Sequence, residues 1–198
     1  MPLHRIRDVI VVLIVAAIGN PLHELGHWVG YTLSGIPAGI SFNHTYYLDH
    51  WAPSFAGALG GPLLSLGLSW LGVIVLVRTH YVAFGAALAI VMAYSRLLPY
   101  LVFGVLAPSQ LPFNDEGVLA IWAGWPIWSW LLILTPLFVA SIAVTWSRLP
   151  GGATRRIGVF AAILVIYGMA AAFEVGVLDP LLFPGVGRRE LVLVVPLQ

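Results

Sequence analysis

The chain has 198 residues, of which 60% are hydrophobic and only 9% are charged, and its formal net charge is +1. A soluble domain usually carries about 25% charged residues, so the composition predicts a single, multi-pass membrane domain. We expect its membrane to be a bacterial or archaeal cell membrane, which the composition does not specify. The near-neutral charge excludes the basic surface of a nucleic-acid-binding protein, and the absence of cysteine excludes disulfides and thiolate metal ligands.

The first apolar stretch covers roughly residues 9–34 and carries the motif His23-Glu-Leu-Gly-His27 in its second half. Two arginines precede this stretch as they do in a signal peptide, but the apolar run continues through the motif. We therefore expect an uncleaved membrane span. Asn20-Pro21 interrupts the span just before the motif, and a proline at this position can kink a helix.

The two histidines of this motif are predicted to bind a metal ion. Helical residues four apart lie on one face, about 6 Å apart along the axis, and two neutral imidazoles so placed can bind one Zn²⁺. Glu24 lies beside His23 and is placed to take a proton from an activated water. Because a metal-binding group at bilayer depth is costly, the motif predicts a functional site rather than a chance pattern.

A polar and aromatic segment, residues 40–51, follows the first span. Its alternation and its β-forming residues predict a strand or hairpin. His44 and His50 lie in this segment and are candidates to line the entrance of the site, although a loop histidine is more often solvated than a ligand. His4 and His80 lie near the predicted membrane interfaces and have no predicted role.

Four further spans are predicted, at roughly 54–77, 81–106, 117–146 and 157–177. The second span opens with a glycine-rich segment, residues 56–62, which permits close approach of another helix. The third span contains Arg96, which either reaches a membrane interface or pairs with an acid inside the bundle. A short run in the tail, residues 191–195, has the composition of a strand.

A catalytic zinc usually has three protein ligands and one open position for water, so one ligand is still missing. Without cysteine, it must be another histidine or a carboxylate. Asp115 is the best candidate because it is one of few acids near a span, although an aspartate at a helix start is also an ordinary cap. Glu116 is a close alternative, and Glu174, late in the fifth span, is a weaker one.

Taken together, these motifs resemble those of the site-2 protease family of intramembrane zinc metalloproteases. One is the zinc motif at 23–27 within a span, and another is Gly-Gly-Pro-Leu at 60–63, at the start of the next span. The third is Leu-Leu-Pro at 97–99 followed by Asp-Glu-Gly at 115–117, which is similar to the family's Asn-x-x-Pro…Asp-Gly element. In two departures, arginine replaces the family asparagine and a glutamate interrupts Asp-Gly.

The resemblance implies a zinc metalloendopeptidase with one Zn²⁺ per chain, which hydrolyses a peptide bond in or near a transmembrane segment of a membrane-protein substrate. It implies His23, His27 and Asp115 as zinc ligands and Glu24 as the general base. Residues 9–120 would form a three-helix protease core, and residues 121–198 would add helices and a tail. The strand segment would pair with an extended stretch of substrate.

The alternative is a non-proteolytic membrane protein, either a transporter or an interaction scaffold, with a relic or structural zinc site. The intact Glu24 argues against a relic, because loss of this residue is the simplest way to lose catalysis.

The arginines and the family resemblance predict opposite membrane orientations. Six arginines lie on the N-terminal side of a five-span arrangement and two on the other side, which predicts a cytoplasmic N-terminus. The six are Arg5, Arg7, Arg78, Arg148, Arg155 and Arg156, and the two are Arg188 and Arg189. The resemblance instead implies an external N-terminus and a site nearer the cytoplasm. We follow the arginine count.

Overall fold

The structure is a computed structural model that describes residues 6–48 and 54–184. Within these residues, five helices are long and apolar enough to cross a membrane, namely Ile6–Leu33, Phe55–Arg78, Val82–Leu106, Ser129–Arg148 and Ala153–Leu182. The prediction of an all-α polytopic membrane fold with a short β segment after the first helix is therefore confirmed. The bacterial or archaeal origin of the membrane and the division at residue 120 stay predictions.

The helices follow one another in chain order with short connections. They are α1 (Ile6–Leu33), α2 (Phe55–Arg78), α3 (Val82–Leu101), α4 (Asp115–Ala123), α5 (Ser129–Arg148), α6 (Ala153–Phe173) and α7 (Asp179–Leu182). A π-helical turn, Val102–Leu106, extends α3 and leads to the 3₁₀ helix Pro108–Phe113. A second π-helical turn, Glu174–Leu178, joins α6 to α7.

The predicted fourth span, 117–146, is two helices rather than one. Gly124 ends α4 with a φ of 65°, a left-handed conformation that favours glycine, and Pro126 follows it. The nine residues of α4 are too few to cross a bilayer, so α5 is the fourth span. The fifth span is longer than the predicted 157–177, and the strand predicted at 191–195 lies outside the described residues.

The segment after α1 forms the predicted hairpin. Strands β1 (Ala38–Ile40) and β2 (Thr45–Tyr47) pair antiparallel, so the first strand begins two residues earlier than the sequence indicated. The indole nitrogen of Trp28 donates to the carbonyl oxygen of Ala38 at 3.0 Å and ties the hairpin to α1. His50 lies outside the described residues.

The glycine-rich start of α2 packs directly against α1, as predicted. Gly26 and Gly60 face each other so closely that a Cβ atom on either would overlap the backbone of the other. A Cβ atom on Gly61 would overlap the imidazole rings of His23 and His27. Because Gly60 and Gly61 have no side chains, the zinc motif fits at the contact between the two helices.

Helix α3 lies at the centre of the bundle. Residues 86–93 are each at most 3% exposed, and they pack against α1 and α6 on one side and α5 on the other. Arg96 follows on the next turn and is only 6% exposed. Its guanidinium group therefore lies inside the bundle. Of the two predicted alternatives, Arg96 pairs with an acid in the bundle and does not reach a membrane interface.

We expect Gly60→Ala to destabilise the protein, because the new methyl group would force the backbones of α1 and α2 apart. Overpacking of this kind costs roughly 1–3 kcal/mol, which corresponds to a fall of roughly 2–10 °C in Tm for a chain of this size. Thermal unfolding in detergent measures it. The matched control is Gly67→Ala on the same helix, where a Cβ atom would meet no atom within 4 Å. Equal Tm values for the two variants would contradict the close helix contact.

We expect single cysteines placed at Leu3 and at Gly152 to be labelled from the cytoplasmic side. Both positions lie on the arginine-rich side of the five spans, and Arg148 and Arg155 flank the second position. Membrane-impermeant thiol reagents applied to intact cells and to inverted vesicles measure this directly, because the chain has no native cysteine. Labelling of both cysteines from outside would establish the orientation that the family resemblance implies.

Candidate metal centre

The structure brings the three predicted ligands together at the contact of α1, α2 and α4. His23 and His27 lie on consecutive turns of α1 with their Nε2 atoms 3.0 Å apart. The Oδ2 atom of Asp115, the first residue of α4, lies 3.2 Å from His23 Nε2 and 3.4 Å from His27 Nε2. These three residues form a group that could hold a metal ion.

The other ring nitrogen of each histidine makes a hydrogen bond with α2. His27 Nδ1 donates to the carbonyl oxygen of Gly57 at 2.8 Å, and a carbonyl oxygen can only accept. In the neutral ring, His27 Nε2 therefore carries a lone pair and faces Asp115. His23 Nδ1 lies 2.9 Å from the hydroxyl oxygen of Ser65. Such outer contacts hold metal-binding histidines in the tautomer and orientation that a metal requires.

The distances within this group fit a tetrahedral zinc ion. Zinc bonds of about 2.0–2.1 Å place ligand atoms about 3.3 Å apart, and the three observed separations are 3.0, 3.2 and 3.4 Å. Two imidazole nitrogens and a carboxylate oxygen that converge in this way favour a cation, and the guanidinium of Arg96 already lies 3.0 Å from His23 Nε2 and from Asp115 Oδ2. The donor set of His23, His27 and Asp115 therefore suits a zinc ion that keeps an open coordination position.

Asp115 does not serve as the helix cap that its position suggests. Asn114 caps α4 instead, because its side chain accepts a hydrogen bond from the backbone nitrogen of Glu116 at 2.9 Å. The carboxylate of Asp115 is thus left to face the histidines. Burial opposes a charge on Asp115, but the positive charges of protonated His27, in the site without a metal ion, and of Arg96 hold the pKa of this carboxyl well below its usual range.

Glu116, the alternative third ligand, points to a different group. Its carboxylate is fully buried and accepts two hydrogen bonds from Arg96 Nη2, at 2.9 and 2.7 Å, and one from the hydroxyl of Tyr100. Arg96 also lies 3.0 Å from both His23 Nε2 and Asp115 Oδ2. Glu116 therefore neutralises an arginine at the edge of the candidate metal site, rather than joining the ligand atoms.

Glu24 lies next to the ligand group. Glu24 and Asp115 line the same cavity of about 500 Å³, which is partly open and is lined by residues of α1, α3, α4, α6 and the hairpin loop. The hydroxyl of Thr45 on β2 donates to Glu24 Oε2 at 3.0 Å and also lies 2.9 Å from the backbone oxygen of Glu24. The hairpin is thus in direct contact with the predicted general base.

The remaining candidates do not join this group. Glu174 accepts a hydrogen bond from Asn20 at 3.1 Å and is not among the residues that the structure brings to the metal site. His44 is exposed, and the ring of His80 packs against Tyr81. His4 and His50 lie outside the described residues.

Several residues that support the site were not predicted from the sequence. Tyr100 had a detectable signal, because it lies four residues after Arg96 and therefore on the same helix face. Ser65 likewise lies four residues after Gly61 on α2, in line with the histidines. Thr45 had no local signal, since its contact with Glu24 depends on how the hairpin folds back on α1.

We expect Glu116→Gln to weaken zinc binding by about 10- to 100-fold, as loss of outer partners of metal ligands commonly does. With Glu116 neutral, the positive charge of Arg96 would be left to Asp115 alone and would compete with the metal ion. Competition with a zinc-binding dye measures the affinity. The matched control is Glu174→Gln, a second buried glutamate outside the ligand group. An unchanged affinity in Glu116→Gln would show that Arg96 does not compete with zinc.

Comparisons with known proteins identify no relative of this chain: no protein-family profile matches it, and neither a curated protein nor a solved structure is significantly similar. Its functional interpretation therefore depends on the residues and contacts described above.

Proposed function

We propose that this protein is an intramembrane zinc metalloprotease of the site-2 type, which hydrolyses a peptide bond in or near a transmembrane segment of a membrane protein. The observation that carries the proposal is the convergence of His23, His27 and Asp115 beside Glu24. These residues lie in or next to helices that are long and apolar enough to cross a membrane. Ionisable groups at such positions are rare unless they have a function.

In this proposal, each polar group has a chemical role. His23, His27 and Asp115 would hold a zinc ion, which would supply a Lewis acid for the scissile carbonyl and would lower the pKa of a bound water molecule. Glu24 takes the proton of the attacking water and later delivers it to the leaving amine. Thr45, by donating to one carboxylate oxygen of Glu24, orients the other oxygen toward the cavity.

The surroundings of the site support a peptide substrate. The cavity of about 500 Å³ has room for a short stretch of main chain, and its polar lining can hold the water that hydrolysis consumes. Strand β2 touches Glu24 through Thr45, so a peptide that adds to the hairpin as a further strand would pass the general base in extended form. A peptide bond inside an intact helix is not open to such attack.

The proposal is tested by cleavage of a transmembrane-type peptide with purified protein in detergent, followed by mass spectrometry of the products. We expect cleavage at a defined bond, its loss on addition of a zinc chelator and its return when zinc is restored. One zinc ion per chain without cleavage of any membrane peptide would instead support the scaffold or transporter alternative.

A further inference from the structure

A second polar group lies in the same cavity, one helical turn from the candidate metal site. Asn20 precedes His23 by three residues, which is about 4.5 Å along the axis of α1, and its side chain lines the cavity. The hydroxyl of Tyr167 donates to Asn20 Oδ1 at 2.6 Å. Asn20 Nδ2 in turn donates to Glu174 Oε2 at 3.1 Å. We call these three residues the Asn20 group.

Glu174 and Tyr167 contact opposite ends of the Asn20 amide. In the structure the amide nitrogen faces Glu174 and the amide oxygen faces Tyr167, which is the orientation that an ionised Glu174, able only to accept, favours. Both partners belong to the fifth candidate span, Ala153–Leu182, and are nearly inaccessible, with Tyr167 7% and Glu174 3% exposed. A carboxylate at this depth is costly, and among the described residues the structure gives it Asn20 as its hydrogen-bond donor.

The Asn20 group leaves part of the amide unused. A side-chain amide has two N–H groups and an oxygen with two lone pairs, and the described contacts use one of each. One N–H and one lone pair therefore remain on a residue that lines the cavity. A peptide main chain offers the complementary pair, a carbonyl oxygen and an N–H. Ala171 and Ala172, which line the cavity between Tyr167 and Glu174 in the chain, have only methyl side chains and leave space for a main chain to approach.

We propose that Asn20 binds the main chain of the substrate next to the scissile bond, through paired amide hydrogen bonds. Tyr167 and Glu174 are positioning residues that hold the amide in the required orientation. This inference rests on the proposed function, since it assigns a peptide to the cavity. A substrate-binding role would explain why the Asn20 group lies beside His23 although none of its three residues is a predicted zinc ligand.

The proposal is tested by peptide binding under conditions that prevent cleavage. A fluorescent transmembrane-type peptide is titrated with the zinc-loaded Glu24→Gln protein, and each peptide N–H is replaced in turn by an ester oxygen. We expect one ester position near the scissile bond to weaken binding about three- to tenfold, as loss of one hydrogen bond does. In the Glu24→Gln/Asn20→Ala protein, the same ester should bind as well as the amide.

The positioning residues are tested in the same assay. Glu174→Gln should abolish the ester effect, because a glutamine can both donate and accept and no longer sets the orientation of Asn20. Tyr167→Phe should also reduce the ester effect, whereas Tyr81→Phe, a change at an exposed tyrosine, should preserve it. Zinc content serves as the measure of folding for every variant and should be unchanged.

The outcomes separate this proposal from the proposed function. Asn20-dependent ester sensitivity without any cleavage by the wild-type protein would overturn the protease function and keep a peptide-binding cavity. Cleavage combined with equal binding of all ester peptides would keep the protease and overturn the role of Asn20. Failure of the Glu24→Gln protein to bind any peptide would also overturn it.

Discussion

The Glu24→Gln variant is expected to lose peptide hydrolysis by about 10²- to 10⁴-fold, the range that a general base contributes, while keeping its zinc. Glutamine preserves the size of the side chain and can still contact Thr45, but it cannot take a proton from water. Glu24 is not one of the converging ligand residues, so metal content should not change. Initial rates of peptide cleavage and zinc analysis of the same sample measure both properties.

The matched control is Asp8→Asn, which converts an acid into its amide near the opposite end of α1. Asp8 lies 15 residues before His23, about 22 Å along the helix, so this variant should cleave at the wild-type rate. Full activity in Glu24→Gln would remove Glu24 from the mechanism. Loss of zinc together with activity would mean that Glu24 supports the metal site rather than the proton transfer.

Replacement of Asp115 by alanine is expected to reduce zinc affinity at least about 100-fold, more than the loss of an outer partner of a ligand does. The variant would leave His23 and His27 as the remaining ligands, and cleavage should be lost with the metal. Dye competition measures the affinity. In a zinc-loaded crystal of the wild-type protein, an anomalous scattering map should place a carboxylate oxygen of Asp115 about 2.0–2.2 Å from the metal.

The control for Asp115 is Glu174→Ala, which removes the weaker of the two other acids considered as ligands. Because Glu174 contacts Asn20 and not the histidines, zinc affinity should be unchanged in this variant. An Asp115→Ala protein with full zinc affinity, or a map with Asp115 facing solvent and another residue at the metal, would contradict the ligand set.

The two departures from the site-2 protease pattern meet in space. Arg96 stands where that pattern has asparagine, and Glu116 is the residue that separates Asp115 from Gly117. The structure pairs the two through hydrogen bonds of 2.9 and 2.7 Å, so the additional acid offsets the additional base. Without Glu116, Asp115 would be left as the acid that faces this buried arginine beside the candidate metal site, and removal of one partner from a buried ion pair is destabilising.

Features that depend on local geometry could be predicted from the sequence alone. The apolar runs located the membrane helices, and the four-residue spacing of His23 and His27 placed both rings on one face of α1, because helix periodicity is a property of the backbone. Alternation after the first span indicated the hairpin. The scarcity of acids near the spans made Asp115 a candidate ligand although it is 92 residues from His23.

Residues that look equivalent in the sequence are distinguished by the packing of the helices. Asp115 and Glu116 are adjacent on α4 and point about 100° apart, so the packing of α4 determines which carboxylate faces the histidines. Arg96 is buried because α3 is the central helix, and the sequence of α3 does not indicate this central position. The contact between Asn20 and Glu174 joins residues 154 positions apart. Such contacts arise from the arrangement of whole helices, which single-span patterns do not specify.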